Sequence, residues 1–383
     1  MKKSILAAML TVVMCFALLA GCANDAEVES DIIKVGYLGP ISGDAAKDIA
    51  AAYSGVKMYV DELNATGGIR GKKIELVLYD DKGDTPAEAI AGFNQLIEVD
   101  KVVCIFSSSA TDPTTAVAQE SADFIDPVPV ITIPETVANI TSFGKNFFRI
   151  CISNSAQGIA MVTFAVETLE AEKISVLYNS SSTYSNALSA AFQTECVSQG
   201  AEVASIESYD DDTEDFEPII ETIKEAAPDV IYVPEHAAKA AEIIKILRDG
   251  GINATILGCN GWAGILDEAE DTSILENSYF TGDFSVGDPD AESFVTRYEE
   301  LYGEKPNLYA ANGYEAAMVM FDAIKRAGNT ERAAIITALG ETDLEGITNQ
   351  LTFENQNATR ECSVIKIALN DEGELDYIFD SRI

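Results

Sequence analysis

Five consecutive small residues, Ser107-Ser108-Ser109-Ala110-Thr111, carry four hydroxyls directly after the apolar, β-branched run 102–106. A second run, 128–132, leads into Pro134-Glu135-Thr136, and the stretch 112–125 between the two has the length of a helix. A buried strand that stops in hydroxyls just before a helix presents O–H groups and free backbone N–H groups at one edge. Such an edge suits an anionic group, a carboxylate for example. The same residues also serve as ordinary turn and N-cap positions, so at this level both readings stand.

Other reactive residue types are scarce or poorly placed for catalysis. The single histidine, His236, would have to serve any Ser–His–Asp triad, and no Gly-x-Ser-x-Gly elbow is present. The loop Gly67-Gly68-Ile69-Arg70-Gly71-Lys72-Lys73 lacks the spacing and the Ser/Thr of a phosphate loop, and no Gly-x-Gly-x-x-Gly occurs. Asp80-Asp81 and Asp210-Asp211-Asp212 read equally as solvated loops or as acid/base or calcium sites. No CxxC or His/Cys metal spacing appears among the seven cysteines. Cys104, Cys151, Cys196, Cys259 and Cys362 read mostly as free thiols, and no cofactor or metal is expected.

The elements that must position these residues alternate. Strands are expected at 32–38, 73–79, 102–106 and 128–132, with helices at 48–64, 86–99 and 112–125. A second series follows: an extended stretch at 147–152, strands at 173–178, 202–209, 229–233 and 254–257, and helices at 156–169, 186–199, 216–226 and 237–249. Alternation of this kind specifies parallel sheets with helices on both faces, here as two doubly wound lobes. Ligands of such folds lie beyond the carboxyl ends of the strands. From 278 the style changes to an extended stretch at 278–284, helices at 291–302, 310–327 and 330–339, and strands at 346–353, 363–370 and 374–381. Two α/β lobes without catalytic motifs point to binding in the cleft between them.

The chain opens with Lys2 and Lys3, an apolar segment 5–19, and Leu19-Ala20-Gly21-Cys22 before a polar stretch. The tetrapeptide resembles the lipobox of bacterial lipoproteins. That resemblance implies a signal at 1–21, a lipid anchor on Cys22 and a tether at 22–31, with the protein on the extracytoplasmic side of the cell membrane. Removing Lys2 and Lys3 leaves 23 basic against 63 acidic residues, a net charge of −40. Such a surface repels nucleic acid and anionic membrane.

Several ordered motifs resemble one family: Ile33-Lys34-Val35-Gly36-Tyr37-Leu38-Gly39-Pro40-Ile41-Ser42-Gly43, then Asn64-Ala65-Thr66-Gly67-Gly68-Ile69-Arg70-Gly71-Lys72-Lys73, Tyr79-Asp80-Asp81-Lys82-Gly83-Asp84-Thr85-Pro86, Leu247-Arg248-Asp249-Gly250-Gly251-Ile252 and Asn312-Gly313-Tyr314-Glu315-Ala316. They are similar to the substrate-binding proteins of branched-chain amino acid-type ABC transporters. The resemblance implies a type I periplasmic-binding-protein fold: α/β, two Rossmann-like doubly wound lobes joined by three crossings that close like a flytrap. Crossings are then expected near 150–153, 280–284 and 348–352, with one lobe at 32–151 plus 282–349 and the other at 152–281 plus 350–383.

The resemblance further implies that Ser107, Ser108, Ser109, Thr111, Pro134, Glu135 and Thr136 hold the carboxylate and ammonium of an amino acid. Tyr184 and Glu235 face them from the second lobe, with His236 a loop or rim residue and Trp262 shaping or underlying the wall. Asn260 falls where amino-acid binders commonly place an acid. Either Glu135 or Glu235 supplies the missing charge, or the ligand is not a standard α-amino acid. The expected function is a monomeric lipoprotein that captures an amino acid and delivers it to ABC permease subunits. The alternatives are a binder of an amide, urea or aromatic acid for the same kind of transporter, or a sensory ligand-binding protein.

Overall fold

The computed structural model describes residues 31–383 apart from positions 44, 45, 84, 123, 134, 137 and 138. The leader, Cys22, the tether and Pro134 therefore lie outside the described residues.

The apolar run that begins the described chain becomes β1 (Ile32–Leu38), and β2 (Lys73–Tyr79) pairs with it in parallel register from Ile32 opposite Lys73 to Leu38 opposite Tyr79. β3 (Ile105–Ser107), β4 (Val130–Thr132) and β5 (Phe147–Arg149) extend the parallel sheet. Residues 102–104 lie just ahead of β3, and only part of that stretch pairs with β1, through Val103 N–H to Lys34 O and Gly36 N–H to Cys104 O. Alternation along the strands buries both faces. Phe106, Ile131 and Phe148 pack with α1 (Ala46–Ala65) and α9 (Leu308–Ala327), while Ile105, Val130 and Phe147 pack with α2 (Pro86–Glu98) and α3 (Thr111–Ala122). Each such fully buried side chain contributes roughly 1.5–3 kcal/mol relative to leaving it in water.

The second sheet repeats the plan with β6 (Lys173–Asn179), β7 (Glu202–Tyr209), β8 (Val230–Tyr232), β9 (Thr255–Gly258) and β10 (Ser278–Gly282). Counted within each sheet, both parallel sets run 2-1-3-4-5, a doubly wound order. α4 (Asn154–Thr163) and α5 (Thr183–Gln199) lie against one face, and α6 (Glu217–Ala226) and α7 (Ala237–Asp249) against the other. The helix expected at 156–169 is α4 followed by a π turn at Phe164–Thr168. After β10 come α8 (Glu292–Tyr302), α9 and α10 (Arg332–Gly340).

The third passage between the sheets differs from expectation. β11 (Asp343–Glu345), β12 (Gln350–Glu354) and β13 (Asn357–Thr359) all belong to the first sheet, and β14 (Ser363–Leu369) and β15 (Leu375–Arg382) to the second. The chain therefore crosses at 360–362, not at 348–352, and residues 350–359 sit with the first lobe. The reason is local. β12 turns back on itself through Asn355 and Gln356, both at positive φ, so that Thr352 pairs with Thr359 before the chain leaves.

Candidate ligand-binding site

The carboxyl ends of β3 and β4 carry the hydroxyls. Ser107, Ser108 and Ser109 are each at most 1% exposed. Tyr37, on β1, donates its phenol to Ser108 Oγ at 2.7 Å, and Ser109 donates to the carboxylate of Asp81. Burial pushes the Asp81 carboxyl up from its ordinary range, against the pull of the Ser109 hydroxyl and the Gly83 N–H. Ser107 Oγ and Thr132 Oγ1, on residues opposite one another in the ladder, are buried without a hydrogen-bond partner among the described residues. Thr111 is the half-buried first residue of α3. The loop after β4 buries Glu135 and Thr136. Glu135 is thus no exposed loop carboxylate: it lies close to the buried Arg149 guanidinium, which Cys151, Glu135 and Asp283 help keep protonated against the lowering effect of burial.

The second sheet offers a matching edge. Tyr184, in the first turn of α5, donates to Asn260 Oδ1 at 2.6 Å and accepts the Gly261 N–H at 3.0 Å. A Cβ on residue 261 would lie 2.7 Å from Glu235 O and 2.8 Å from the Tyr184 hydroxyl, so only glycine permits this approach. Glu235 accepts from the Tyr209 phenol at 2.8 Å and from the His236 N–H. His236 stacks on Tyr184 with ring centroids 4.4 Å apart, yet keeps an exposed edge, which places it at the rim. Trp262 is fully buried, donating Nε1–H to Val233 O, and underlies the wall.

The two edges converge. Asn154, the first residue of α4, gives its N–H to Thr136 O of the first lobe at 3.3 Å. Burial drives the Tyr184 phenol far above its ordinary pKa, with Cys259, Tyr232 and Tyr309 of the first lobe's α9 adding to the rise. Gln157 Oε1 takes the Asn260 N–H at 2.9 Å and the Thr281 hydroxyl at 3.0 Å, which leaves its Nε2 aimed elsewhere with no partner among the described residues. Tyr37, Gln157 and Tyr309 are site residues that sequence reasoning did not single out, and Asp81 enters there only as half of an Asp80-Asp81 pair, not as a partner of the serines. Tyr37 and Asp81 stand within quoted motifs, whereas Gln157 and Tyr309 do not.

Chemically this is a set of hydroxyls, amides and phenols that can accept and donate from two sides. The nearest approach to a catalytic pair, Ser109 with Asp81, has no histidine, because His236 is engaged on the other lobe. The five described cysteines are free and buried. Among the described residues no group of three or more His, Cys, Asp or Glu side chains could hold a metal ion, and no helix is long and apolar enough to cross a membrane.

The sequence profile of the family described as periplasmic binding protein matches residues 32–371. The chain is 25% identical over 341 residues to a leucine-, isoleucine-, valine-, threonine- and alanine-binding protein of Pseudomonas aeruginosa, covering 85% of this chain and 87% of that one. It is 27% identical over 382 residues to a Leu/Ile/Val-binding protein homologue of Brucella melitensis, covering 93% and 92%. Among solved structures, a leucine-binding protein of Thermotoga maritima superposes with a TM-score of 0.77 at 25% identity over 92% of this chain and 98% of that one. A branched-chain amino acid transporter substrate-binding protein of Streptococcus pneumoniae, in complex with isoleucine, also superposes with a TM-score of 0.77, at 26% identity over 92% and 100%.

Proposed function

The chain belongs to the periplasmic binding protein family, and from that premise we propose that it is an extracytoplasmic lipoprotein that captures an amino acid, branched-chain or related, between its lobes and delivers it to an ABC permease. The observation that carries the reading is that polar side chains at the carboxyl edges of both sheets, Ser107 to Ser109 and Asn260, are shut away from solvent where the lobes meet. Hydroxyls and N–H groups of the first lobe suit a carboxylate, and the phenol–amide pair Tyr184–Asn260 suits polar hydrogens on the other side. Ligand binding favours the closed arrangement, which the permease reads. Cys22 carries the lipid anchor, where several acyl chains give lasting attachment that one chain cannot.

Thermal-shift titration of the soluble domain from residue 31 onward, against amino acids, amides and aromatic acids, tests the reading. Stabilisation by leucine, isoleucine or valine is expected, worth about 2.7 kcal/mol at one hundred times Kd. A shift from an amide or aromatic acid with none from any amino acid overturns the substrate class, and turnover of a stabilising compound overturns the binding role. Palmitate labelling of the full chain, lost in Cys22→Ser, tests the anchor.

A further inference from the structure

A cavity of about 540 Å³ lies between the lobes and shares no lining residue with the site described above. The first lobe contributes Ala51 and Ser54 of α1 and Leu308 at the start of α9. The second contributes Phe280, Ile365 and Tyr377 from β10, β14 and β15, and Phe284 closes it just after the second crossing. Ligand sites fall in this range of volume and combine an apolar body with a few fixed polar groups. The cavity's charged lining is mostly acidic, with Asp267, Glu304 and Asp376 against a single lysine, Lys305, in number. The Tyr377 phenol is fixed by the Leu266 N–H at 3.0 Å. Asp267 follows Leu266 and Asp376 precedes Tyr377 in the chain, so that bond brings the two acids to one corner of the cavity, and burial first and these carboxylates in addition push the phenol up to about 12.

We propose that this cavity is a second binding site, for a small organic cation with an apolar body, its ammonium set between Asp267 and Asp376 and its body against Phe280 and Phe284. Excess carboxylate excludes an anion of the same shape. Since both lobes form the walls, a bound cation favours their closed arrangement and couples to the cleft, reciprocally. The site itself does not depend on which solute the cleft takes; only the coupling rests on that reading.

The test is isothermal titration of the soluble domain with phenethylamine, 2-phenylethanol and phenylacetate. Phenethylamine is expected to bind, with phenylacetate at least about tenfold weaker. Asp267→Asn with Asp376→Asn should weaken the amine about tenfold, and Ser54→Trp, which fills the cavity from α1, should abolish binding. Leucine titrations of the same variants check that the cleft is intact, and circular dichroism checks the fold. No amine binding at millimolar concentration, equal binding of amine and phenylacetate, or unchanged amine affinity in folded variants overturns the site. Amine binding without any response to leucine would sink the amino-acid reading and leave this one standing.

Discussion

Asp283, just beyond β10, accepts the main-chain N–H of Ile152 on one carboxylate oxygen at 2.6 Å and the Asn312 amide of α9 on the other at 2.9 Å. Two passages between the lobes are thereby tied to each other and to the first lobe. The third joins them through Arg360, whose guanidinium donates to Asp283 O at 2.8 Å and to Glu315 at 2.6 Å, both side chains of that ion pair being 1% exposed. All three passages meet in one buried polar knot.

Removing one partner from such a knot strands a buried charge, so Arg360→Met is expected to cost about 3–5 kcal/mol of unfolding free energy. Urea denaturation measures it. Arg360→Met combined with Glu315→Leu should recover most of the loss, because the cost comes from the orphaned carboxylate rather than from the missing contact. If the double variant is no more stable than the single one, the knot stabilises by its geometry instead.

α1 and α9 cross at two glycines. A Cβ on Gly55 would lie 2.0 Å from Ala310 O, and one on Gly313 would lie 2.2 Å from Ala52 O. The obstacle is backbone in both cases and cannot swing aside. Alanine gains about 1 kcal/mol of helix propensity over glycine, yet overpacking of this kind costs about 1–3 kcal/mol or more. Gly313→Ala should therefore lower the melting temperature in a calorimetric scan, whereas the same change at exposed Gly340, which meets nothing within 4 Å, should not.

Much of this is legible in the sequence. Ile32–Leu38, Lys73–Tyr79, Glu202–Tyr209 and Ala237–Asp249 begin and end where their patterns place them, because turn and cap residues bracket each. The 343–359 region is not. Its turn is made by Asn355 and Gln356 in the left-handed region, where no glycine marks it, so the pattern shows one strand at 346–353 in place of three short ones, and the crossing that the family resemblance implies at 348–352 falls before the true one. The same division holds at the site. The hydroxyl run announced a sheet edge, but the burial of Asp81 behind Ser109 and the reach of Gln157 to Asn260 and Thr281 depend on neighbours remote in sequence.

Burial lowers the pKa of His236 below its ordinary 6.5, with Glu235 acting against that. The native ring therefore holds fewer protons than the unfolded one. Its contribution to stability is fully present above pH 6.5 and falls away as pH drops below it. The ring keeps an exposed edge, so the effect is small. Asp81, raised by burial, works with the opposite sign, favouring the native state as pH falls toward its unfolded value of 3.8. Stability measured by urea titration between pH 5 and 7.5 should thus decline gently toward pH 5, and His236→Gln should flatten that slope (roughly one proton at most). An unchanged slope would assign it elsewhere.

The Tyr184 hydroxyl both donates to Asn260 and accepts from Gly261. Tyr184→Phe keeps the stack on His236 but leaves a buried amide oxygen and a buried N–H without their partner. A penalty of about 1–3 kcal/mol follows, and it falls on the closed cleft. Leucine affinity, read by isothermal titration, should drop roughly tenfold or more while circular dichroism stays unchanged.

Asn260→Asp poses the question of charge directly. Aspartate keeps the oxygen that accepts from Tyr184 and the main-chain N–H that reaches Gln157 Oε1 at 2.9 Å, so the local geometry survives. What changes is one negative charge in a buried position, next to the Tyr184 phenol. If an amino acid turns its ammonium toward this edge, the charge-assisted bond should tighten leucine binding by about tenfold. Glu135 cannot take that part as readily, because it lies close to the buried Arg149 guanidinium, which offsets its charge. Weaker binding of leucine in a well-folded Asn260→Asp protein would mean that this edge receives a neutral or anionic group, and that the solute is an amide or an acid rather than an α-amino acid.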